Sequence, residues 1–440
     1  MLTWARLLLV AAVAGHWGLQ QFGDRLADFW VGAGIHGVAT LSYIYLCSRA
    51  VLGTWRPTFW EAFALVLGLR LLVMPLSPAL SDDVFRYMHE GHMVLERHNP
   101  YLTAPVDVAE NLRLASYDRI NHAYVPAAYP PLVQLCLALG YVIHPSALGM
   151  KVVFGAFDVM AFVLLWMWLP KISVPARQAV IYGLCPLVVL EFAGEGHSDS
   201  LAIVMTLLAL WAVTGQRRIL SGGFLALATV SKILPLVLLP FVARRARVVW
   251  LAFGVVITAF YLPLFVDAAL RERSILDLFE GTRMYGDVWR HNDSMFHVIY
   301  EVSNWCMQQL NVWWGTELHV SYFPHRVAKV PIVLLGLAIL GFAWVQRWPL
   351  HTVATLFFVY FIAFTPTMHP WYLALLMPFL CIYPSMWMLA FTGTVYLAHS
   401  VPGRETIGVG LKIVEYLPFY LGLVFLARSP SQPGVSTSIS

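Results

Sequence analysis

Long apolar runs separated by short polar connections dominate this chain of 440 residues. Runs of about 17–25 apolar residues are long enough for a helix to cross the hydrocarbon core of a bilayer. The pattern predicts spans near residues 3–21, 30–50, 58–77, 149–169, 178–193, 199–215, 246–266, 327–346, 350–365, 371–384, 386–400 and 410–427. We therefore expect an all-α polytopic membrane protein with about 12 transmembrane helices, in which residues 1–440 form a single integral membrane domain.

Two further apolar stretches have the wrong shape for simple spans. The first, residues 129–145, is short and begins with the pair Pro130-Pro131. The second, residues 219–243, is interrupted by Ser231-Lys232 and followed closely by Pro235. Because broken helices are tolerated at membrane depth where they line a cavity, both stretches are predicted to be re-entrant or paired half-helices.

Composition supports the membrane class and excludes others. Only 12% of the residues are charged and 59% are hydrophobic, whereas a soluble domain has about 25% charged residues. The net charge of +4 is spread thinly, without a basic block suited to nucleic acid. The five cysteines have no metal-type spacing and no His/Cys cluster completes a zinc set, so we expect neither a metal site nor a cofactor.

The distribution of charge predicts which side each connection faces. With the N-terminus in the cytoplasm, the connections on that side contain basic residues and no Asp or Glu, as the positive-inside rule requires. These basic residues are Arg6, Arg49, Arg56, Lys171, Arg177, Arg217, Arg218, Arg244, Arg245, Arg247, Arg347 and Arg428. The rule is satisfied only if each broken stretch enters and leaves on one side, which supports the re-entrant interpretation.

The same layout places every polar segment on the outer face. These segments are a first large outer loop at 79–128, a turn at 194–199, the tip of the second broken stretch at Lys232, a second large outer loop at 267–326, and a turn at 365–372. We therefore predict a multi-pass protein of the plasma (inner) membrane whose chemistry lies on the extracytoplasmic, periplasmic face. Such a protein needs a substrate that has already crossed the bilayer, and a lipid-linked substrate meets that need.

Adjacent carboxylates at Asp82 and Asp83 open the first outer loop. Neighbouring carboxylates raise each other's pKa, so one of them could act as a general base near neutral pH. Alternatively, the pair caps a helix predicted over 84–97, because Asp before a helix accepts its free N–H groups. The spacing alone leaves both interpretations open.

A second polar cluster, Glu195-Gly196-His197-Ser198-Asp199, joins two predicted spans. We expect Ser198 to cap the following helix. At least one of Glu195, His197 and Asp199 is expected to bind substrate, since these groups suit a network of sugar hydroxyls.

Basic side chains near the outer face are candidates for binding a phosphate. Lys232 lies in an apolar stretch, where an ammonium needs an anion such as a lipid phosphate; the alternative is that it reaches out to the interface. Arg283 and Arg290 could add phosphate contacts, with Trp289 and Asn292 beside them as substrate ligands. Each arginine could equally be a solvated surface residue.

Two aromatic positions in the outer segments have similar alternatives. Tyr129 either faces the site or anchors the chain at the membrane interface. His369, in the sequence His369-Pro370-Trp371-Tyr372, either contacts substrate or is a hydrogen-bonded loop residue.

Taken in order, the motifs resemble those of the integral-membrane GT-C glycosyltransferases, and most closely those of bacterial polyprenol-phosphate-mannose-dependent mannosyltransferases. The resemblance covers roughly residues 80–375 and rests on Ser81-Asp82-Asp83-Val84-Phe85-Arg86-Tyr87, Gly91, Asn99-Pro100-Tyr101, Tyr129-Pro130-Pro131-Leu132, Gly196-His197-Ser198-Asp199, Lys232-Ile233-Leu234-Pro235, Trp289-Arg290-His291-Asn292 and His369-Pro370-Trp371-Tyr372. The chain departs from the family's motifs at two places: the two acids are adjacent rather than spaced, and Ser198 stands where the family has an amide side chain.

The resemblance implies an inverting transfer of a hexose, mannose in the family, from a polyprenyl-phosphate-sugar donor. An aspartate, Asp82 or Asp83 with a slight preference for Asp82, would act as base, and Arg86 would be a substrate ligand. The phosphate leaving group would be stabilised by Lys232 or an arginine rather than by a metal. The acceptor would be a glycan, a glycolipid or a protein.

Two other classes of protein fit parts of the pattern. A transporter or flippase of a polyprenyl-linked sugar would show internal repeats and charges near the midplane. The sequence shows no internal repeat and its charged motifs cluster at one face, which favours the enzyme. A non-enzymatic subunit of a membrane complex is the third alternative, and the intact acidic pair argues against it.

Overall fold

The computed structural model describes residues 2–22, 29–244, 246–315, 323–400 and 407–428. The helices are α1 Leu2–Phe22, α2 Phe29–Val51, α3 Phe59–Val73, α4 Asp83–Leu95, α5 Pro131–Ile143, α6 Ala147–Trp168, α7 Val180–Gly183, α8 Pro186–Val188, α9 Asp199–Thr214, α10 Arg218–Thr229, α11 Leu239–Ala243, α12 Arg247–Leu270, α13 Glu280–Val288, α14 Met295–Trp314, α15 Phe323–Val345, α16 Leu350–Phe364, α17 Met377–Leu380, α18 Met386–Thr394 and α19 Val409–Arg428.

Short helical turns connect several of these helices. A π-helical turn covers Val189–Gly194, and 3-10 turns cover Pro105–Asp107, Glu110–Leu112, Tyr117–Arg119, Leu169–Ile172, Ala176–Ala179, Leu234–Leu238, Ile275–Phe279, Pro370–Leu375 and Val395–Ser400. The described residues contain no strand, apart from an isolated bridge between His291 and Thr367. The predicted all-helical class is therefore confirmed.

Within the described part of the chain, four helical segments are long and apolar enough to cross a membrane: Phe29–Val51, Ala147–Ile172, Arg247–Leu270 and Pro324–Val345. The pair Ala176–Gly183 and Pro186–Gly194, bent by 56°, gives a fifth if it forms one span. Only 6% of the apolar window in α12 and 11% of that in α15 is buried, which suits helices that face lipid. The count of about twelve is not confirmed, because many predicted spans are shorter or bent.

The two irregular stretches differ in form. The first is one short, continuous helix, α5, which begins directly after Pro130 because proline fits the first helical turn. The second breaks after α10 at Ser231-Lys232 and continues as the turn Leu234–Leu238 and α11, so the predicted interruption is present. Arg245 and residues 316–322 of the second large loop lie outside the described residues.

A buried ion pair joins α3 to α6 in the core. The Nε atom of Arg70 donates to Oδ2 of Asp158 at 2.8 Å, and Nη2 donates to Oδ1 at 3.1 Å. Both side chains are almost fully buried, at 1% and 0% exposure. Arg70 also donates to the carbonyl of Gly183. Charges taken out of water need such complete pairing, so this pair is structural.

Helices α4 and α5 run side by side in the same direction, so both begin at the same end of the molecule. Their close approach depends on Gly91, where an added Cβ would lie 2.5 Å from the carbonyl oxygen of Leu137. Glu90 and Gln134 bond across the same contact at 2.6 Å. This packing sets Asp83, at the start of α4, beside Tyr129, just before α5.

Candidate active site

Asp83 lies at the first turn of α4, with its carboxylate held by neighbouring loops. The Tyr129 hydroxyl donates to Oδ2 at 3.0 Å, and Nδ2 of Asn121 donates to Oδ1 at 3.4 Å. Tyr87 in turn donates to the Tyr129 hydroxyl at 3.0 Å. Burial raises the pKa of Asp83 above that of an ordinary aspartate, although these hydrogen bonds oppose the shift.

Asp82 has a different environment although it is the adjacent residue. Its side chain is exposed, and it occupies the position before α4 without making a side-chain hydrogen bond to the helix. The capping interpretation of Asp82 is therefore wrong. Of the two aspartates, Asp83 is the one whose carboxylate is fixed among other polar groups.

Glu195 holds the turn that leads into this acidic pair. Its carboxylate accepts hydrogen bonds from the backbone N–H groups of Ala79, Leu80 and Ser81 at 3.1, 3.0 and 3.2 Å. Burial raises the pKa of Glu195, while these N–H groups lower it. Lys151 fixes the preceding residues by donating to the carbonyl of Leu76 at 2.6 Å. Glu195 therefore positions the start of the first loop.

The turn at 194–199 is built by the π-helical turn before it. That turn ends with the N–H of His197 donating to the carbonyl of Glu191 at 3.0 Å, which brings the two side chains to one face. Gly196 has a φ of +82°, a conformation that other residues adopt only with strain. Ser198 sits at the position before α9 without a side-chain capping bond, so its predicted cap is not formed.

His197 is fully enclosed between two carboxylates and an aromatic ring. Its Nδ1 lies 3.9 Å from Oδ2 of Asp83, and its Nε2 lies 3.3 Å from Oε2 of Glu191. The ring stacks on Trp371 with centroids 3.7 Å apart. Burial lowers the pKa of His197 well below its usual value, so the imidazole is neutral at pH 7.

Asp199 and Lys232 form an ion pair next to this turn. The ammonium donates to Oδ1 of Asp199 and lies 3.8 Å above the ring centroid of Tyr372. Because α9 leads away from the turn and α10 returns to it, the two residues meet although 33 positions separate them. The Asp199 side chain is 3% exposed and that of Lys232 is 20% exposed, so the ammonium is the accessible partner.

Aromatic rings from the second half of the chain cover the site. His369 stacks on Trp371 with centroids 4.3 Å apart, and His291 stacks on His369 at 4.9 Å. Backbone bonds join the two segments, since His291 donates to the Pro366 carbonyl at 3.1 Å. Burial lowers the pKa of His369 well below its usual value, so it is neutral at pH 7.

A second aromatic group continues this cover. Tyr285 bonds to the hydroxyl of Tyr372 at 2.7 Å and stacks on Trp289 with centroids 5.5 Å apart. Trp289 also meets the edge of His122 from the first outer loop at 4.6 Å. Trp289 therefore connects the two large loops beside the site.

Four predicted site residues have other neighbours. Arg86 bonds to Glu90 at 2.8 Å and to four backbone carbonyls, which holds the first loop. Arg290 bonds to Asp293 and to Nδ1 of His297. Asn292 is buried against Glu415 at 2.6 Å. Arg283 is largely exposed, with a 4.0 Å contact to Glu280. We therefore leave these four out of the proposed substrate contacts.

Some residues of the site were not singled out by the sequence. Glu191 lies within the predicted span 178–193 and Trp371 begins the predicted span 371–384, so neither stands out as a site residue. Lys151 is one of two charged residues in the apolar helix α6, which is the available signal for it. Asn121 carries no such signal. Among the described residues, no group of three or more His, Cys, Asp or Glu side chains has a metal-binding arrangement.

The described residues are helical and include apolar helices long enough to cross a membrane, which fits a membrane protein. Residues 7–249, more than half of the chain, match the family model described as alpha-(1->6)-mannopyranosyltransferase, N-terminal domain. The chain belongs to this family, and it is a glycosyltransferase of the mannosyltransferase class and the GT-C type. No curated protein sequence and no solved structure matches it.

Proposed function

We propose that this enzyme moves mannose from a polyprenyl-phosphate-mannose donor to a hydroxyl of an acceptor glycan, glycolipid or protein, with inversion at C1 and on the extracytoplasmic face. The observation that carries the proposal is the placement of a carboxylate and a cation on either side of one turn. His197 approaches Asp83 at 3.9 Å, and two residues further on Asp199 contacts Lys232. A base and a phosphate-binding group thus share one site.

Asp83 is the proposed base. Its Oδ2 accepts a proton from the acceptor hydroxyl as the hydroxyl oxygen attacks C1 of the donor sugar. Its raised pKa brings it closer to neutrality, while the hydrogen bond from Tyr129 keeps the carboxylate oriented and ionised. A single displacement that gives an α linkage requires a donor whose sugar has the β configuration.

Lys232 is the proposed ligand of the departing phosphate. An ammonium has three N–H donors, and Asp199 engages one of them. The remaining donors can bind the phosphate and stabilise the charge that develops as the C1–O bond breaks. A phosphomonoester leaving group needs less neutralisation than a nucleotide diphosphate, which is consistent with a reaction that uses a lysine in place of a divalent ion.

The aromatic cover suits the sugar substrates. Trp289 and His369 are partly exposed beside the charged groups, whereas Trp371 is buried with its ring stacked between those of His197 and His369. Such surfaces pack against the apolar faces of pyranose rings and exclude water from the reacting centre. We therefore propose Trp289 and His369 as the contacts that orient donor and acceptor sugars, and Trp371 as the ring that holds His197 in place.

The test is transfer by the purified protein in detergent. We expect radiolabelled mannose to move from polyprenyl-phosphate-mannose, and not from GDP-mannose, to a short α-linked mannoside. Asp83→Asn should lower kcat by about a hundredfold or more, the range of general-base catalysis, whereas Asp82→Asn should keep most of the activity. If Asp82→Asn loses the activity and Asp83→Asn keeps it, the base is Asp82. Full activity in both variants would exclude a base at this pair.

Sidedness has a separate test. The exposed Cys306 is first replaced by serine, and single cysteines are then introduced as Glu110→Cys in the first loop and Gln216→Cys in the α9–α10 connection. A membrane-impermeant maleimide applied to intact cells should label the first and spare the second. The opposite labelling would place the site in the cytoplasm and refute the lipid-linked donor argument.

A flippase of a polyprenyl-linked sugar is the other class considered. Transfer in detergent distinguishes the two, because translocation needs two membrane faces and glycosyl transfer does not. A protein that moved the lipid-linked sugar across vesicle membranes without transferring it would fit the flippase and refute the enzyme.

A further inference from the structure

Glu191 is a buried carboxylate that lies behind the proposed base and that the mechanism above does not use. Its side chain is 1% exposed, and its two oxygens face two histidines. Oε2 lies 3.3 Å from Nε2 of His197, and Oε1 lies 3.1 Å from Nε2 of His399. A carboxyl group enclosed to this degree either carries a proton or has a partner that compensates its charge, and here two imidazoles face it.

The imidazole of His197 links this carboxylate to Asp83. Its Nδ1 lies 3.9 Å from Oδ2 of Asp83, on the opposite edge of the ring from Glu191. Neither ring nitrogen has a well-formed hydrogen bond, and Oε2 of Glu191 has none either. Stacking on Trp371, with an interplanar angle of 16°, and the backbone bond to Glu191 fix the orientation of the ring.

We propose that Glu191 and His197 form a positioning dyad that receives the reaction proton from Asp83. The proposal rests on the base assigned under the proposed function. A proton on Nε2 of His197 points to Glu191 and leaves the lone pair of Nδ1 facing Asp83. The acceptor proton first moves to Asp83 and then to Nδ1, once substrate binding shortens the 3.9 Å separation to hydrogen-bond distance, which gives an imidazolium whose charge Glu191 balances. Loss of this proton to water after product release restores the neutral ring.

Other charged and titratable groups surround the dyad from the packed elements. Asp199 and Lys232 lie beside it from α9 and the break after α10, His369 from the covering loop, and His399 from the last 3-10 turn. The first two form an ion pair with each other. Glu191 therefore contributes the carboxylate that directly faces the far edge of the His197 ring.

The dyad differs from a sugar-binding role for His197 in its kinetic consequence. A ligand of the bound sugar contributes mainly to KM, whereas a group that receives the proton contributes to kcat. The carboxylates of Glu191 and Asp83 also repel each other, so removal of Glu191 should shift the pH profile of the base. A merely structural residue would produce neither effect.

The test compares Glu191→Gln, His197→Gln and the double variant in the mannosyl-transfer assay, with Glu415→Gln as a control. Glu415 is an equally buried carboxylate whose bond is to the amide of Asn292. We expect each dyad variant to lower kcat by about tenfold or more with KM within about twofold. The double variant should fall no further than His197→Gln, because the two residues act as a unit. The acid limb of kcat/KM should move to lower pH in Glu191→Gln and stay unchanged in Glu415→Gln.

Several outcomes would overturn the dyad. A rise in KM at unchanged kcat in His197→Gln would make this residue a sugar ligand, and an unshifted acid limb in Glu191→Gln would exclude coupling to the base. If His197→Gln does not fold, the pH profile of Glu191→Gln decides alone. Wild-type enzyme without transfer would refute the proposed function instead, while an active wild type with an inactive Asp83→Asn and an unaffected Glu191→Gln would refute only the dyad.

Discussion

Replacing Tyr129 by phenylalanine removes one hydrogen bond from the proposed base, together with the bond that the Tyr129 hydroxyl accepts from Tyr87. The Tyr129 hydroxyl donates to Oδ2 of Asp83 at 3.0 Å, and this bond lowers the pKa of Asp83 against the larger effect of burial. Without it the carboxylate is less stable relative to the protonated acid. The pKa of Asp83 therefore rises in Tyr129→Phe, and the base is protonated at a higher pH than in the wild type.

The size of this shift follows from the strength of the bond. A hydrogen bond to a charged group contributes about 1.5–3 kcal/mol, and one pKa unit corresponds to about 1.4 kcal/mol. The Asp83 side chain is 18% exposed, so water replaces part of the lost interaction. We expect the acid limb of the kcat/KM profile to move to higher pH by about one unit. At pH values below the pKa of the base, kcat/KM then falls about tenfold, while its plateau at higher pH stays nearly unchanged.

The assay is initial-rate mannosyl transfer at a series of pH values, with Tyr87→Phe and Tyr101→Phe as controls. Tyr87 donates to the Tyr129 hydroxyl, so its loss should move the limb in the same direction by less. Tyr101 donates to the Tyr129 carbonyl and should leave the limb in place. A limb in Tyr129→Phe that is unmoved, or moved to lower pH, would show that Asp83 is not the titrating base.

Three further outcomes are expected. Lys232→Met should raise KM for the lipid donor at least tenfold, while Lys232→Arg keeps part of the affinity; equal KM values would exclude phosphate binding there. Arg70→Ala should lower the stability by about 3–5 kcal/mol, since it leaves Asp158 buried and unpaired, and thermal unfolding in detergent would measure this. Gly196→Ala should cost about 1–3 kcal/mol because its φ of +82° strains other residues, and activity should fall with it; a wild-type melting temperature would contradict this.

The sequence predicted which segments meet more reliably than it predicted how the chain crosses the membrane. The positive-inside pattern requires the turn at 194–199 and Lys232 to share one side, and the structure brings Asp199 and Lys232 into contact. The span count is not confirmed, because apolar composition does not determine helix length. The predicted span at 178–193 is two helical pieces bent by 56°.

Individual roles were harder to predict than locations, because they depend on packing between distant segments. Nothing local to Glu195 shows that its carboxylate binds the backbone of residues 79–81, more than a hundred positions earlier. Arg86 belongs to a recognisable motif, yet its guanidinium is used by Glu90 and loop carbonyls. Asp82 and Asp83 likewise differ in the direction in which the start of α4 points their side chains. Two identical neighbours in a sequence give no sign of that direction.

The two halves of the site lie far apart in the order of synthesis. Asp83, His197 and Lys232 fall within the matched region 7–249, whereas the rings that cover them, Trp371 and Tyr372, come more than a hundred residues later. During synthesis, the segment with Asp83, His197 and Lys232 is therefore translated before the rings that cover it. A chain that stops before residue 371 would lack the rings that pack on His197 and Lys232.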